Sequence, residues 1–434
     1  MQRLLALVVI SNFLAGSLSA AEIEDVSARL DVSYGHSPAA SKTVQGVVEL
    51  EPTLDLDWSG STSLRASARI RVDAEDQLEP GRANTDTYAS ASRPLQLGNT
   101  GTAELRQFYL ENRFGDGLLR LGKQAIVWGR LDGIKVLDVV NPQDFREFIL
   151  DDFADSRIGL WSAYLDYTFG GWRAELALLA DGTGHAIPNS DAWFELTAPR
   201  FRYGAERGQA SPPVVTVTPE HGGSEFGYGA RLSRQLGNLE LAFVAYSGTD
   251  PEPLGRLAVR DGLPIVERFF ERRETLGASV DMGLGPVVLR AEYAYQPDRA
   301  FNTRSPLGLD TVDLDQHRGA IGLDLDGPLR VFINVQYLVD TIDNAPAGLV
   351  RPTVDRVGTL YLRRSFSYDS LAVAARWYHS FTDGDDLATL SLDYALGDAS
   401  ALGLAAEWFA GDQAGLFGQF SDRDRIVLSL QHTF

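Results

Sequence analysis

Arginines and carboxylates are the residues of this chain best placed to do chemistry. Its 434 residues carry 39 basic groups, of which only Lys42, Lys123 and Lys135 are lysines, against 59 acidic ones. Many recur at every second position, and on an extended strand that spacing puts them on one face. Arg65, Arg69 and Arg71 interleave with Leu64, Ala68, Ile70 and Val72, and Arg290 and Glu292 interleave with Leu289, Ala291 and Tyr293. The same pattern adds Arg29, Arg113, Arg173, Arg231, Arg273, Arg318, Arg330 and Arg376 to the polar face. Its carboxylates are Glu49, Glu51, Asp55, Asp57, Glu111, Asp166, Glu175, Glu240, Asp281, Asp324, Asp393 and Glu407. Opposed rows of both signs would wet the wall of a pore and set a transverse field across it. The same charges could instead pair with one another and fill the interior. The sequence leaves both open.

Other chemistry is poorly supported. There is no cysteine, so thiolate metal sites, cysteine nucleophiles and disulfides are excluded. The six histidines (His36, His185, His221, His317, His379, His432) are scattered, and neither G-x-S-x-G nor H-E-x-x-H occurs. Asp310, Asp313 and Asp315, and then Asp383, Asp385 and Asp386, cluster without the spacing of a calcium loop and read as solvated loops. The expectation is a chain that is not an enzyme and holds no cofactor or metal. A net charge of −20 also argues against a nucleic-acid partner, since phosphate neutralisation needs a basic surface.

The elements that must position these charges are long strands. Segments of alternating polarity run ~10–13 residues, beyond the ~5–6 of a soluble strand and near the ~9–11 of a tilted membrane strand. Tight turns such as Ser59-Gly60, Gly170-Gly171 and Ser367-Tyr368-Asp369 join them in pairs, and long polar links separate the pairs. Strands are expected to start near 25, 44, 61, 103, 118, 158, 172, 225, 239, 272, 286, 315, 328, 354, 369, 386, 401 and 422. The first and fourteenth segments are the weakest, so 16 strands is the alternative to 18. No stretch after residue 21 approaches the ~20 apolar residues of a membrane helix. The fold class is therefore all-β: a transmembrane up-and-down antiparallel β-barrel with short periplasmic turns and long extracellular loops.

Residues 1–21 read as a secretory signal peptide, with Arg3, an apolar run from Leu4 to Ile10 and Ser19-Ala20-Ala21 before Glu22. Residues 22–434 then form a single barrel. Its last segment alternates Ile426, Leu428 and Leu430 and ends on Phe434. That pattern resembles the terminal signature read by the barrel-insertion machinery of Gram-negative bacteria, though His432 departs from it. Trp58, Phe114, Phe169, Trp172, Tyr295, Trp377, Phe381 and Trp408 lie near strand ends, as interfacial girdles do. The expected location is the outer membrane, in contact with its lipid and lipopolysaccharide.

The link 129–157 stands apart because it is too apolar to stand free in water. Asn141 before Pro142 predicts a short helix, with Phe145, Phe148 and Ile149 on one face. The loop is expected to fold into the barrel and narrow it, with Arg130, Asp132, Lys135, Asn141, Asp144, Arg146 and Glu147 at the constriction. A lid packed on the rim is the alternative.

Leu119-Arg-Leu-Gly-Lys-Gln124, Val127-Trp-Gly-Arg130 and Val139-Val-Asn-Pro-Gln-Asp144 carry a family likeness. Over roughly residues 104–170 the chain resembles a loosely characterised group of proteobacterial outer-membrane barrels. Members look porin-like, and some are encoded beside RND-type exporters of lipids or hydrophobic compounds. The resemblance implies outer-membrane transport without naming a cargo. Together with the lumen charges it leads to an expected channel for passive passage of small solutes. The alternatives are an outer-membrane partner of an RND-type envelope exporter, or a structural barrel closed to solutes.

Overall fold

The computed structural model describes residues 22–152, 155–208, 212–216, 226–305 and 308–434. The proposed signal peptide and His221 lie outside the described residues. Eighteen long strands make the wall. They are β1 (Glu22–Ser37), β2 (Lys42–Asp57), β3 (Thr62–Asp73), β4 (Gly101–Phe114), β5 (Gly117–Gln124) and β6 (Leu160–Phe169). Next come β7 (Trp172–Leu179), β8 (Gly227–Leu236), β9 (Leu239–Thr249), β10 (Arg272–Leu284), β11 (Val287–Ser305) and β12 (Gly308–Asp326). The last six are β13 (Phe332–Ile342), β14 (Val354–Phe366), β15 (Leu371–Ser380), β16 (Asp385–Ala395), β17 (Ser400–Ala410) and β18 (Arg425–Thr433).

Each strand pairs antiparallel with its neighbours in sequence, and β18 closes on β1 from Arg29↔Thr433 to His36↔Ile426. Closure removes every sheet edge, so no row of backbone N–H and C=O groups in the wall is left for lipid to solvate. Alternation does the rest. On β3, Ser67, Arg69, Arg71 and Asp73 are buried inward while Ile70 and Val72 are exposed outward. On β18 the outward set is Ile426, Leu428 and Leu430. Trp377, Phe381 and Trp408 are exposed on the same outer surface. His379 stacks on Trp377 there, as His317 does on Tyr295.

Turns follow local backbone chemistry. Ser367, Tyr368 and Asp369 all adopt positive φ, the twist a tight antiparallel turn demands. At the β2–β3 turn one Asp57 oxygen accepts the N–H groups of Ser59 (2.9 Å) and Gly60 (2.7 Å).

Three boundaries differ from the sequence expectation. The stretch 297–314 is not a loop, because β11 and β12 run on as a ladder to the pair Ser305↔Gly308. A β-bulge between Gln296 and Arg299 shifts the alternation there, which hides the continuing strand. Strand β13 starts at Phe332, since Pro328–Arg330 forms a 3₁₀ turn with Leu329 and Arg330 at positive φ. The link after β9 holds its own hairpin, Leu254–Arg260 with Leu263–Phe269.

The inward loop and the lumen

The chain between β5 and β6 leaves the wall and lies inside it. Its first half carries Ile126, Trp128, Leu131, Ile134, Val136, Leu137, Val139 and Val140, all buried. They pack against inward residues of the wall, among them Leu160, Tyr164, Ala177, Val244, Tyr246, Ala294 and Ala320. Three wall glycines make the seats. A Cβ on Gly229 would stand 2.6 Å from the Trp128 ring, one on Gly277 2.3 Å from Leu137, and one on Gly322 2.8 Å from Leu131. Gly133, at φ +104°, carries the tip across to Tyr378 and Gln336.

Residues 141–152 form no helix, contrary to the expectation from Asn141-Pro142. The Asn141 side chain is engaged elsewhere: its Oδ1 accepts the Ile126 N–H and its Nδ2 donates to the Ile158 carbonyl, both at 2.7 Å. It ties the two ends of the loop together instead of capping a turn. Gln143 and Asp144 form bridges to Arg157 and Ala186, so their backbone groups are already used. A turn follows, with Phe148 at φ +55°. Phe148 joins a buried cluster with Trp193, Phe194, Tyr378, Leu387, Phe409, Phe417 and Phe420. The loop thus spans the lumen between two apolar anchorages.

Charged groups pin it between them. The Glu292 carboxylate accepts the backbone N–H groups of Arg130 and Leu137, the latter at 2.9 Å. The Arg130 side chain donates to Glu240 (2.7 Å), and Gln336 donates to the Asp132 carbonyl, leaving the Asp132 carboxylate exposed. Lys135 donates to Gln143 and to Ser156 (3.4 Å). Burial pushes its ammonium down to about 8. Asp144 and Arg146 pair, and Arg146 reaches Glu79 at 3.0 Å. Burial alone would raise Asp144, but the Arg146 guanidinium holds it well below the usual carboxylate range. Glu147 accepts from Gln45 (2.9 Å) and Arg425 (3.0 Å).

Most charges on the inner wall form local pairs. Arg69 donates to Glu104 (2.8 Å), Arg71 to Glu49, and both Arg113 and Arg120 to Glu111 at 2.8 and 2.7 Å. Arg173 holds Asp166 (2.6 Å), Arg231 joins Glu175 (2.5 Å) to Glu240 (2.7 Å), and Arg425 holds Glu407 (2.6 Å). Arg290 lies between Asp281 (3.2 Å) and Asp324, and Arg318 is 3.3 Å from Asp340. Arg65 is half-exposed, 3.7 Å from Asp55, and Arg376 lies over the Tyr361 ring. Arg330 is off the wall, exposed in the β12–β13 turn. Sequence reasoning missed Gln45, Gln316, Arg299, Arg351 and Arg425. Arg299 sits in the stretch 297–314 taken for a loop, and Arg425 repeats the inward spacing of Ser429 and Gln431.

The larger spaces inside differ in character. A polar vestibule of about 590 Å³ runs from the loop toward the short-turn end, lined by Arg29, Asp31, Glu49, Arg363, Arg376 and Asp393 among others. A chamber of about 320 Å³ lies against the loop itself, and a smaller polar one of about 210 Å³ lies toward the long-loop end. Among the described residues no group of three or more His, Asp or Glu side chains could hold a metal ion. Asp385 accepts the N–H groups of Phe417 (2.7 Å) and Gly418 (2.8 Å), and Asp315 accepts that of Asp298 (3.0 Å).

Comparison with known proteins gives a family and a fold. The chain belongs to the family described as "Protein of unknown function (DUF1302)", whose model matches residues 31–321. No curated protein matches it. Among solved structures it is similar to OccAB1 of Acinetobacter baumannii, at 9% identity and TM-score 0.52, over 97% of this chain and 98% of that one. It is likewise similar to OccK2 (OpdF) of Pseudomonas aeruginosa in complex with glucuronate, at 10% identity and TM-score 0.52, over 96% and 99%. A third is Pseudomonas aeruginosa OpdK with vanillate, at 11% identity and TM-score 0.51, over 96% and 100%. The shared property is the fold, a closed porin barrel.

Proposed function

We propose that this member of the DUF1302 family is an outer-membrane channel for passive passage of small solutes, with the loop at 129–157 setting its narrowest section. The observation that carries this reading is the placement of polarity. An apolar, aromatic-edged surface faces outward, and a charged wall surrounds a polar vestibule of about 590 Å³ beneath a loop that crosses the lumen. A closed barrel with an apolar outer band suits lipid, and a polar vestibule lined by charges suits solute passage. The porin-like fold supports the same reading. The chain does no chemistry in it; selectivity comes from the lumen charges and from the loop.

Liposome swelling with uncharged solutes of graded size tests it. Reconstituted protein should admit small solutes and exclude larger ones, and shortening the loop should raise the size limit. Swelling no faster than protein-free liposomes, from protein shown folded by its heat-modifiable migration, would contradict the proposal.

A further inference from the structure

The two chambers beside the loop share a wall, and their linings differ in kind. The larger, of about 320 Å³, is bounded by Phe148, Leu196, Phe201, Leu338, Val357 and Phe417, an apolar lining unexpected in a wet pore. The smaller is bounded by Arg273, Arg299, Arg318 and Arg351, with Glu252 and Asp340. Lys135, Gln143, Phe145 and Arg318 line both, so one opens beside the other.

The arginines outnumber their counter-ions. Asp250 is shared by Arg273 (3.3 Å) and Arg299 (2.6 Å), and Glu252 by Arg299 (2.7 Å) and Arg351 (3.4 Å). Asp340 is shared by Arg318 (3.3 Å) and Arg351 (3.4 Å). Four guanidinium groups therefore divide three carboxylates. The Arg273 Nε is buried without a hydrogen-bond partner, a donor whose desolvation nothing in the protein offsets. A carboxylate is the ligand whose planar acceptor pair suits such a surplus.

Resting on the channel reading above, we propose that the paired chambers bind a monocarboxylate with an apolar body, its hydrocarbon part against Phe148 and Leu338 and its carboxylate toward Arg318 and Arg351. Burial leaves His185, on the polar chamber's wall, neutral at pH 7 and lowers Lys135, so the counter-charge for an anion there is left to the arginines. Burial beside Glu147 raises Asp151, at the apolar chamber's edge, to about 8, which removes a negative charge that would repel the ligand. Acetate would lose the apolar contacts, and the corresponding alcohol would lose the charge-assisted bonds.

Isothermal titration of the full-length protein held in amphipol tests this with three probes: 4-phenylbutyrate, 4-phenylbutan-1-ol and acetate. The acid should bind at least ~10-fold more tightly than either of the others, a gap within what one or two charge-assisted bonds supply. Arg351→Gln, a loop change that leaves the wall intact, should weaken the acid and leave the alcohol unchanged. Leu338→Asn should weaken both. Equal binding of acid and alcohol, or of acid and acetate, would overturn the proposal, as would an Arg351→Gln protein that binds the acid normally. The readout does not depend on flux. A barrel that binds but does not conduct would sink the channel reading alone, and one that conducts without binding would sink this site alone.

Discussion

Single side chains in this barrel are held by partners far away in sequence. Glu292 accepts a backbone N–H from Leu137, and Arg425 joins Glu407 of the wall to Glu147 of the loop. The alternation of polar and apolar residues made the inward direction of Glu292 legible, because period two dictates the face of a strand. It could not reveal their partners, since those are set by what crosses the lumen. Glu292 reads in sequence as a charge facing water and is instead an acceptor for loop backbone. Arg425 is buried, so removing it leaves two carboxylates facing each other without a cation. Arg425→Ala should cost about 3–5 kcal/mol, the usual loss when one member of a buried pair is deleted. Urea unfolding of the refolded barrel would measure it, and Arg425→Ala combined with Glu407→Gln should recover part of the loss. A single variant as stable as the parent would show that this network contributes nothing.

At the scale of elements, the loop of residues 125–159 depends on seats cut into the wall. Gly229 takes the Trp128 ring, and any side chain there must displace it. Gly229→Val suits a strand through its β-branched side chain, so the barrel should still form while the loop undocks. Protease should then cut the loop at sites protected in the parent, and an unchanged digestion pattern would deny the seat. A second anchor is pH-sensitive. The His185 Nδ1 accepts the Gln143 N–H at 2.8 Å, and its ring meets Phe145 edge-on. Burial lowers His185 from 6.5 to about 4, so His185 takes up a proton more readily once the loop is undocked. This contribution to docking is complete above pH ~6.5 and is lost as pH falls toward 4. Hydrogen exchange across residues 130–150 should therefore slow less between pH 7 and pH 4.5 than its chemical pH dependence requires, and His185→Asn should remove the excess. No excess in the parent would rule out this role. The apolar run of the loop was enough to place it against a wall. The helix expected at Asn141-Pro142 failed because tertiary contacts claimed the capping side chain and the backbone of residues 143 and 144.

For the whole molecule, architecture was the most legible level. Membrane strands must be long, alternating and closed, and those demands write a repeated pattern that survives without knowledge of any contact. The expected strand starts lie within a few residues of the observed ones except at β12, where the bulge at Gln296–Arg299 broke the alternation. What crosses the lumen left a fainter trace, because loop–wall contacts follow no period. With that crossing, the proposed open channel is narrowed by its own loop. Single-channel conductance in a planar bilayer tests it most directly, comparing the parent with a variant in which residues 130–156 are replaced by a short Gly-Ser linker. Steady openings are expected from the parent and clearly larger ones from the variant. A silent parent, or equal conductance from two correctly folded proteins, would contradict it.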